Sequence, residues 1–370
     1  MSVQQSGFKF ERTLNWVGEG AVRGWHLGAQ LFVARVDEIL LDSAIGDASL
    51  GRPMGAGSIG LWFSSGKPIT AVALAQLVEA GRLCWDDPVA RWIPEFAAHG
   101  KNAVTVEHVL THTGGFRSAD AVPETTPWPE TLSRICASSL EPNAVPGETA
   151  AYHTHSSWSV LAEVIQRVSG EPFEERIRKC IFGPAGMDDS YVLLSVAEFQ
   201  GVENRLSKMH LTDRGQMDSD LCWNTPECAA ILRPGAFLRG PIRDLGRFYQ
   251  ALLRDPSPLL RRETIELMTR RHRERKFDDT FKHVVDFGLG FIVNSRRYGV
   301  ETVPYGFGRH AGETAFGHGG QQTSCAFADP ENGLVVAWVF NGLPGVRIHH
   351  KRGRELNTAI YEDLGIVRTD

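Results

Sequence analysis

The chain has 370 residues, 42% of them hydrophobic and 22% charged, and a formal net charge of −5. That is an ordinary globular composition, long enough for one large core or two intertwined domains. A mildly acidic balance with scattered basic residues argues against a nucleic-acid partner or an anionic membrane surface. No apolar run is long enough to span a bilayer, and the opening MSVQQSGFKFERTLNWVGEG has no basic start followed by an apolar stretch. The six cysteines (Cys84, Cys136, Cys180, Cys222, Cys228, Cys325) are dispersed without a Cys-x-x-Cys, which reads as a reduced, cytoplasmic protein.

Taken in order, residues 8–25 set Phe10, Leu14 and Val17 at helical spacing. Two apolar runs, 29–34 and 39–44, flank Val36-Asp37-Glu38 and predict a β-hairpin. A glycine-rich loop over 51–60 leads towards an Ala- and Leu-rich segment, 69–83, that favours a helix buried on every side. A helical turn is expected over 89–93 and a helix over 104–112 with Thr105 as its cap. Further helices are expected over 131–138, in a proline-interrupted stretch, and over 156–168, stopped by Gly170. Residues 196–234 show no sustained periodicity, whereas 242–253 and 263–270 read as amphipathic helices. Strand patterns then occupy 289–293, 324–328 and 334–341, with a turn over 329–333, and a helix over 354–364 closes the chain. Strands at both ends with helices between predict an α+β (α/β sandwich) fold. An antiparallel sheet domain would form from 1–62 and 235–370, with a mostly helical domain, 63–234, inserted and the active site at the junction.

The segment Leu61-Trp62-Phe63-Ser64-Ser65-Gly66-Lys67-Pro68 sets a hydroxyl three residues ahead of an amine at the head of the buried helix. Those two positions share a helix face. The unpaired N–H groups and partial positive charge of a helix amino end favour a deprotonated Lys67 and negative charge beside Ser64. Pro68 implies that regular helix starts just after Lys67 or bends there. A second Ser-x-x-Lys, Ser6 to Lys9, has no buried helix behind it and reads as accidental. On this stretch alone Ser64 is as readily a helix cap.

Three further segments sharpen the reading. Pro146-Gly147-Glu148-Thr149-Ala150-Ala151-Tyr152-His153-Thr154 carries a tyrosine after a Pro-Gly turn and ahead of a helix. Leu110-Thr111-His112-Thr113 lies between it and Ser64, and Phe316-Gly317-His318-Gly319-Gly320 precedes a strand. With these in order, nearly the whole chain resembles the serine β-lactamase and penicillin-binding-protein superfamily. It is most similar to the branch of class C β-lactamases, class VIII esterases, D,D-carboxypeptidases, D-aminopeptidases and related acyltransferases. The resemblance implies a β-lactamase/transpeptidase-like sheet flanked by helices. It also implies a Ser64 acyl-enzyme, with the backbone N–H groups of Ser64 and Gln321 as oxyanion donors. His318 would line the pocket and contact a substrate carboxylate or carbonyl, while Gly319 and Gly320 let that strand edge approach the substrate.

A serine hydroxyl needs a base within reach, and Lys67 and Tyr152 are the candidates. Burial disfavours the ammonium, and the ammonium favours a phenolate, so the two are expected to share the proton transfer. One departure stands out. The family's usual Tyr-x-Asn is Tyr152-His153-Thr154 here, and Thr154 offers one hydroxyl in place of an amide. That weakens a β-lactam or D-amino-acid-peptide substrate and leaves the serine chemistry intact.

Other features carry blander readings. His108 and His112 lack the His-Glu-x-x-His pattern and read as structural. His153 and His155 are as readily surface as pocket residues, and His349-His350 reads as surface. Trp62, Trp158 and Trp223 are more simply core than a pocket wall. Cys222 and Cys228 lack metal-ligand spacing and read as incidental. An α/β-hydrolase is disfavoured because the His-Gly-Gly segment follows the nucleophile instead of preceding it. A non-catalytic binding relative is disfavoured by the presence of Ser64, Lys67, Tyr152 and His318 together. The expectation is a serine acyl-transfer enzyme performing esterase-type hydrolysis, or transacylation onto an alcohol or amine. Its partners would be a small-molecule acyl donor and acceptor, with no metal or organic cofactor implied.

Overall fold

The computed structural model describes residues 9–368 except residue 216. Helix α1 (Glu11–Val22) leads into strands β1 (Gly28–Arg35), β2 (Ile39–Ser49) and β3 (Arg52–Pro53). The helices α2 (Lys67–Glu79), α3 (Val106–Leu110), α4 (Trp128–Ala137), α5 (Ser156–Ser169), α6 (Ile242–Leu253) and α7 (Arg262–Thr269) follow. Strands β4 (Ile292–Val293), β5 (Phe316–Gly320), β6 (Ser324–Asp329) and β7 (Leu334–Phe340) come next, and α8 (Val346–Asp363) closes the chain.

The seven strands form one antiparallel sheet in the order β3-β2-β1-β7-β6-β5-β4. Both chain ends therefore meet at its centre, where Ala29 faces Phe340 and Arg35 faces Leu334. Side chains alternate across a strand. Leu31 and Val33 of β1 and Val336 and Trp338 of β7 point to the face covered by α1 and α8. Phe32, Ala34, Val335 and Ala337 point the other way, onto Ile242, Leu245 and Phe248 of α6. β1 and β7 are buried on both faces, which is why each reads as a continuous apolar run. Helix α2 is buried nearly all round, as its composition requires, and joins the larger core.

Two of the boundaries that moved did so for identifiable reasons. The strand expected over 289–293 is only Ile292–Val293. Gly290 there sits at φ 84°, with its backbone so close to α2 that a Cβ would overlap Ala71. The last helix begins at Val346, not 354, because its first turns bury His349, Arg352 and Gly353 against the sheet and carry little apolar signal. The segment 316–320 is itself a strand. Phe8, taken as the start of the first helix, and Ser6 of the accidental motif lie outside the described residues.

Candidate active site

The turn before α2 is a 3₁₀ segment, Phe63–Gly66, and regular α-helix starts at Lys67 with Pro68 in its first turn, where a missing N–H is harmless. Phe63 holds φ 48°, an unusual value for a bulky residue, immediately before Ser64. The turn is stitched to the sheet edge. Ser65 Oγ donates to the His318 carbonyl at 3.1 Å, and Ser324 Oγ donates to the Trp62 carbonyl at 2.6 Å. A Cβ on Gly320 would overlap that same Trp62 carbonyl, so β5 and the Ser64 turn are in direct backbone contact.

Lys67 Nζ donates to Ser64 Oγ at 2.8 Å, to the Thr154 carbonyl at 2.8 Å and to the Gly235 carbonyl at 2.5 Å. The side chain is fully buried, no carboxylate touches it, and burial lowers its pKa to about 7. In the neutral form two N–H groups serve the two carbonyls and the lone pair faces Ser64. Thr154 is held by Asp120, which accepts from the N–H groups of Thr154 (2.5 Å), His155 (3.1 Å) and Ser156 (2.6 Å) and from Thr154 Oγ1 (3.0 Å). Asp120 thus caps α5 from another part of the chain, in place of His155, which makes no side-chain cap. The hydroxyl of Thr154 is engaged there.

Tyr152 reaches the same spot. Lys67 Nζ lies 5.4 Å from the centre of its ring, its side chain lines the cleft beside Ser64, and the ring stacks on Phe281 with centroids 4.6 Å apart. The Tyr152 N–H donates to Asp278 Oδ1 at 3.1 Å and its carbonyl accepts from Thr280 Oγ1 at 2.8 Å. Asp278 is in turn ion-paired with the buried Arg273 at 3.0 Å. Burial pushes the phenol well above its usual pKa, so the neutral phenol is the resting form of Tyr152.

His318 is buried and lines the cleft. Nδ1 lies 2.8 Å from the Gly319 carbonyl, which only accepts, so the proton sits on Nδ1 and the unpartnered Nε2 is an acceptor. Burial, with Lys67 nearby, lowers its pKa to about 3. A neutral ring with a free acceptor favours a donor group over a carboxylate. Gly319 packs on the ring of Tyr305, and Gln321 stands at the cleft mouth.

The cleft holds about 400 Å³. Phe63, Tyr152, Phe281, Pro304, Tyr305 and Val346 form its apolar walls; Thr154, His155, Thr280, Gln321, Gln322 and His350 add neutral polar groups. Among the described residues no Asp, Glu, Lys or Arg lines it, and Lys67 lies behind Ser64.

Other expectations resolve differently. His153 does not face the cleft. Its ring packs on Phe116, its Nδ1 pairs with Ser156 Oγ at 2.9 Å, and its N–H donates to His112 Nδ1 at 3.1 Å, which makes it a core histidine. His349 is buried and His350 lines the cleft, so neither is a surface residue, because α8 starts eight residues early. His112 is structural, as read, and Trp62 and Trp158 are core. Asp120, Gly235, Asp278, Phe281 and Tyr305 were not legible. The only hint was that α5 lacked an obvious N-cap of its own.

Residues 14–359 match the family model described as Beta-lactamase. Esterase EstB of Burkholderia gladioli is 33% identical over 185 residues, covering 44% of this chain and 46% of that protein. A penicillin-binding protein homologue from Caulobacter crescentus superposes with a TM-score of 0.80 at 27% identity, covering 96% of this chain and 97% of that one. EstCE1, a hydrolase with promiscuous acyltransferase activity, has a TM-score of 0.80 at 18% identity over 95% of this chain and 98% of that one, a likeness of fold. The chain spans less than half the length of the first curated relatives it matches, at 46%, 30% and 37%.

Proposed function

Because the chain belongs to the Beta-lactamase family, we propose that it is a serine acyl-transfer enzyme that takes uncharged small-molecule esters through a Ser64 acyl-enzyme. Water or a small alcohol or amine then receives the acyl group. The observation that carries this reading is the buried amine of Lys67, 2.8 Å from Ser64 Oγ with no carboxylate against it.

Neutral Lys67 takes the Ser64 proton as Oγ attacks the ester carbonyl, and the backbone N–H groups of Ser64 and Gln321 receive the oxyanion. Tyr152, kept protonated by burial, gives its proton to the departing alkoxide. The ammonium formed on Lys67 stabilises the transient phenolate and returns the proton to it. The acceptor then attacks the acyl-enzyme by the reverse route.

Two features favour esters over β-lactams or D-amino-acid peptides. Those substrates carry a carboxylate, and among the described residues no cationic side chain lines the cleft. Thr154, in the position of the family's amide, spends its hydroxyl on Asp120. The aromatic walls suit an apolar acyl chain instead. EstB and EstCE1 carry esterase and hydrolase names, in keeping with this reading.

The test is turnover of p-nitrophenyl esters together with intact-protein mass spectrometry. An acyl mass on the wild-type chain and its loss in Ser64→Ala are expected. Equal turnover by the two proteins would remove the proposal.

A further inference from the structure

Outside the cleft, one cluster brings together side chains that the linear sequence separates. Glu124, Cys222 and Cys228 present one ligand atom each, all within 4.8 Å of one another. Cys222 Sγ lies 2.9 Å from Glu124 Oε2. Among the described residues no other group of three such side chains converges in this way. The six-residue spacing of the cysteines has no metal signature by itself; the third donor arrives from a loop nearly 100 positions earlier.

The surroundings are built. Arg233, itself buried, donates to the carbonyls of Pro123 (2.6 Å), Glu124 (3.2 Å) and Thr126 (3.3 Å), fixing the loop that carries Glu124. Thr225 Oγ1 accepts from the Cys228 N–H at 3.3 Å and donates to the Cys222 carbonyl at 2.9 Å, fixing both cysteines. Arg239 is 4% exposed, has no carboxylate partner among the described residues, and leaves Nη2 without a hydrogen bond. Burial and then the nearby Glu124 carboxylate raise the Cys228 thiol above its usual pKa, and Arg239 and Arg233 are both close enough to act against them. A buried guanidinium without a counter-charge is costly. A divalent cation held by two thiolates and one carboxylate is a unit of net charge −1, which is the partner these arginines lack.

We propose that Glu124, Cys222 and Cys228 bind one Zn²⁺, with the fourth position open to solvent. Two soft sulfurs and one carboxylate suit zinc over magnesium or calcium. Cys222 is exposed and Glu124 half-buried, so the ion has a path in, and both thiol protons leave to the solvent on binding. The site reaches the cleft from two sides. Trp223, next to Cys222, packs edge-on against Phe63 with centroids 4.9 Å apart, and the loop of Glu124 also carries Asp120. An ion here ties the segment behind the Ser64 turn to the segment that holds Thr154 on Lys67.

The test is calorimetric titration of the freshly reduced 370-residue chain with Zn²⁺ alone, repeated with Co²⁺ to read thiolate-to-cobalt absorption. One ion per chain and a charge-transfer band are expected. Cys222→Ser and Glu124→Gln, both at accessible positions that leave the core untouched, are each expected to weaken binding by at least about tenfold. Binding that is absent in wild type, or unchanged in both variants, overturns the site. So does a reduced chain that takes no Zn²⁺ while its oxidised form carries a Cys222–Cys228 disulfide. None of these readouts involves Ser64, so failure here leaves the acyl-transfer reading standing.

Discussion

The pH dependence of Ser64 acylation tests the account at its centre. If Lys67 is the base, only its neutral form is competent, and burial has brought its pKa from 10.5 to about 7. The competent fraction is then about one tenth at pH 6 and about nine tenths at pH 8, so the rate constant climbs about tenfold and levels off. A lysine left at 10.5 would give a tenfold rise per pH unit through pH 9 with no plateau. The cleft histidines do not mimic this limb, because burial holds His155 and His350 near 4 and His318 near 3. Stopped-flow release of p-nitrophenol from an activated ester, between pH 5.5 and 9.5, isolates the step because that leaving group needs no proton. Replacing Asp120 by Asn removes the carboxylate that raises the pKa of Lys67 and is expected to move the limb to lower pH. A profile flat from pH 6 to 8, or rising without limit above pH 9, would sink the assignment.

The same burial has a cost in stability. Below about pH 7 the native state holds a buried ammonium, and this penalty, about 5 kcal/mol, is relieved as pH rises towards 10.5. Lys67→Met is therefore expected to exceed wild type in unfolding free energy at pH 6, with the gap shrinking by pH 9; three acceptors left unmet offset part of it. Urea melts at both pH values check the sign. Tyr152→Phe keeps the stacking on Phe281, so KM should change little while kcat falls by about 10²–10⁴ on alkyl esters. On p-nitrophenyl esters the loss should be much smaller, and equal losses on both would deny Tyr152 the role of proton donor. Gly320→Ala drives a Cβ into the Trp62 carbonyl and Ser324 Oγ. It is expected to lower stability by about 1–3 kcal/mol or more and to slow acylation, read by thermal melts and p-nitrophenol release.

The residues proposed to carry the chemistry stand out in the sequence, and the ones that hold them in place do not. Ser64 in the 3₁₀ turn and Lys67 at the head of α2 are three apart in the sequence, so a short motif fixes their contact. The hairpin of β1 and β2 and the turn over 329–333 follow from alternation and turn residues. Asp120 left no trace, because it caps a helix that begins 36 positions later and lies in an irregular, proline-rich stretch. The first turns of α8 stayed hidden because what they bury is His349 and Arg352, whose burial depends on partners elsewhere in the chain. Arg352, for instance, donates to the carbonyls of Trp25 and Gln322. That shortfall mattered at the site, since the same turns bring Val346 and His350 to the cleft. His153 erred the other way: standing next to Tyr152 in sequence, it points into the core on the opposite side.

The substitution of threonine for the family's amide reads differently once Lys67 is considered. A side-chain amide is one way to hold the amine; here the backbone carbonyl of Thr154 does it, and the side chain turns away to Asp120. Both acceptors besides Ser64 are then uncharged carbonyls, of Thr154 and Gly235. Neutral acceptors satisfy an N–H without stabilising the ammonium as a carboxylate would, so the pKa stays low and the base stays available. On the proposed reading, the exchange gives up an acyl-side amide contact and leaves Lys67 free to accept the proton. What remains to select the substrate is the aromatic wall and the Nε2 acceptor of His318, features that discriminate by apolar shape and by donor groups and not by charge. The loss of one recognition group and the retention of the base are thus two consequences of the same local geometry.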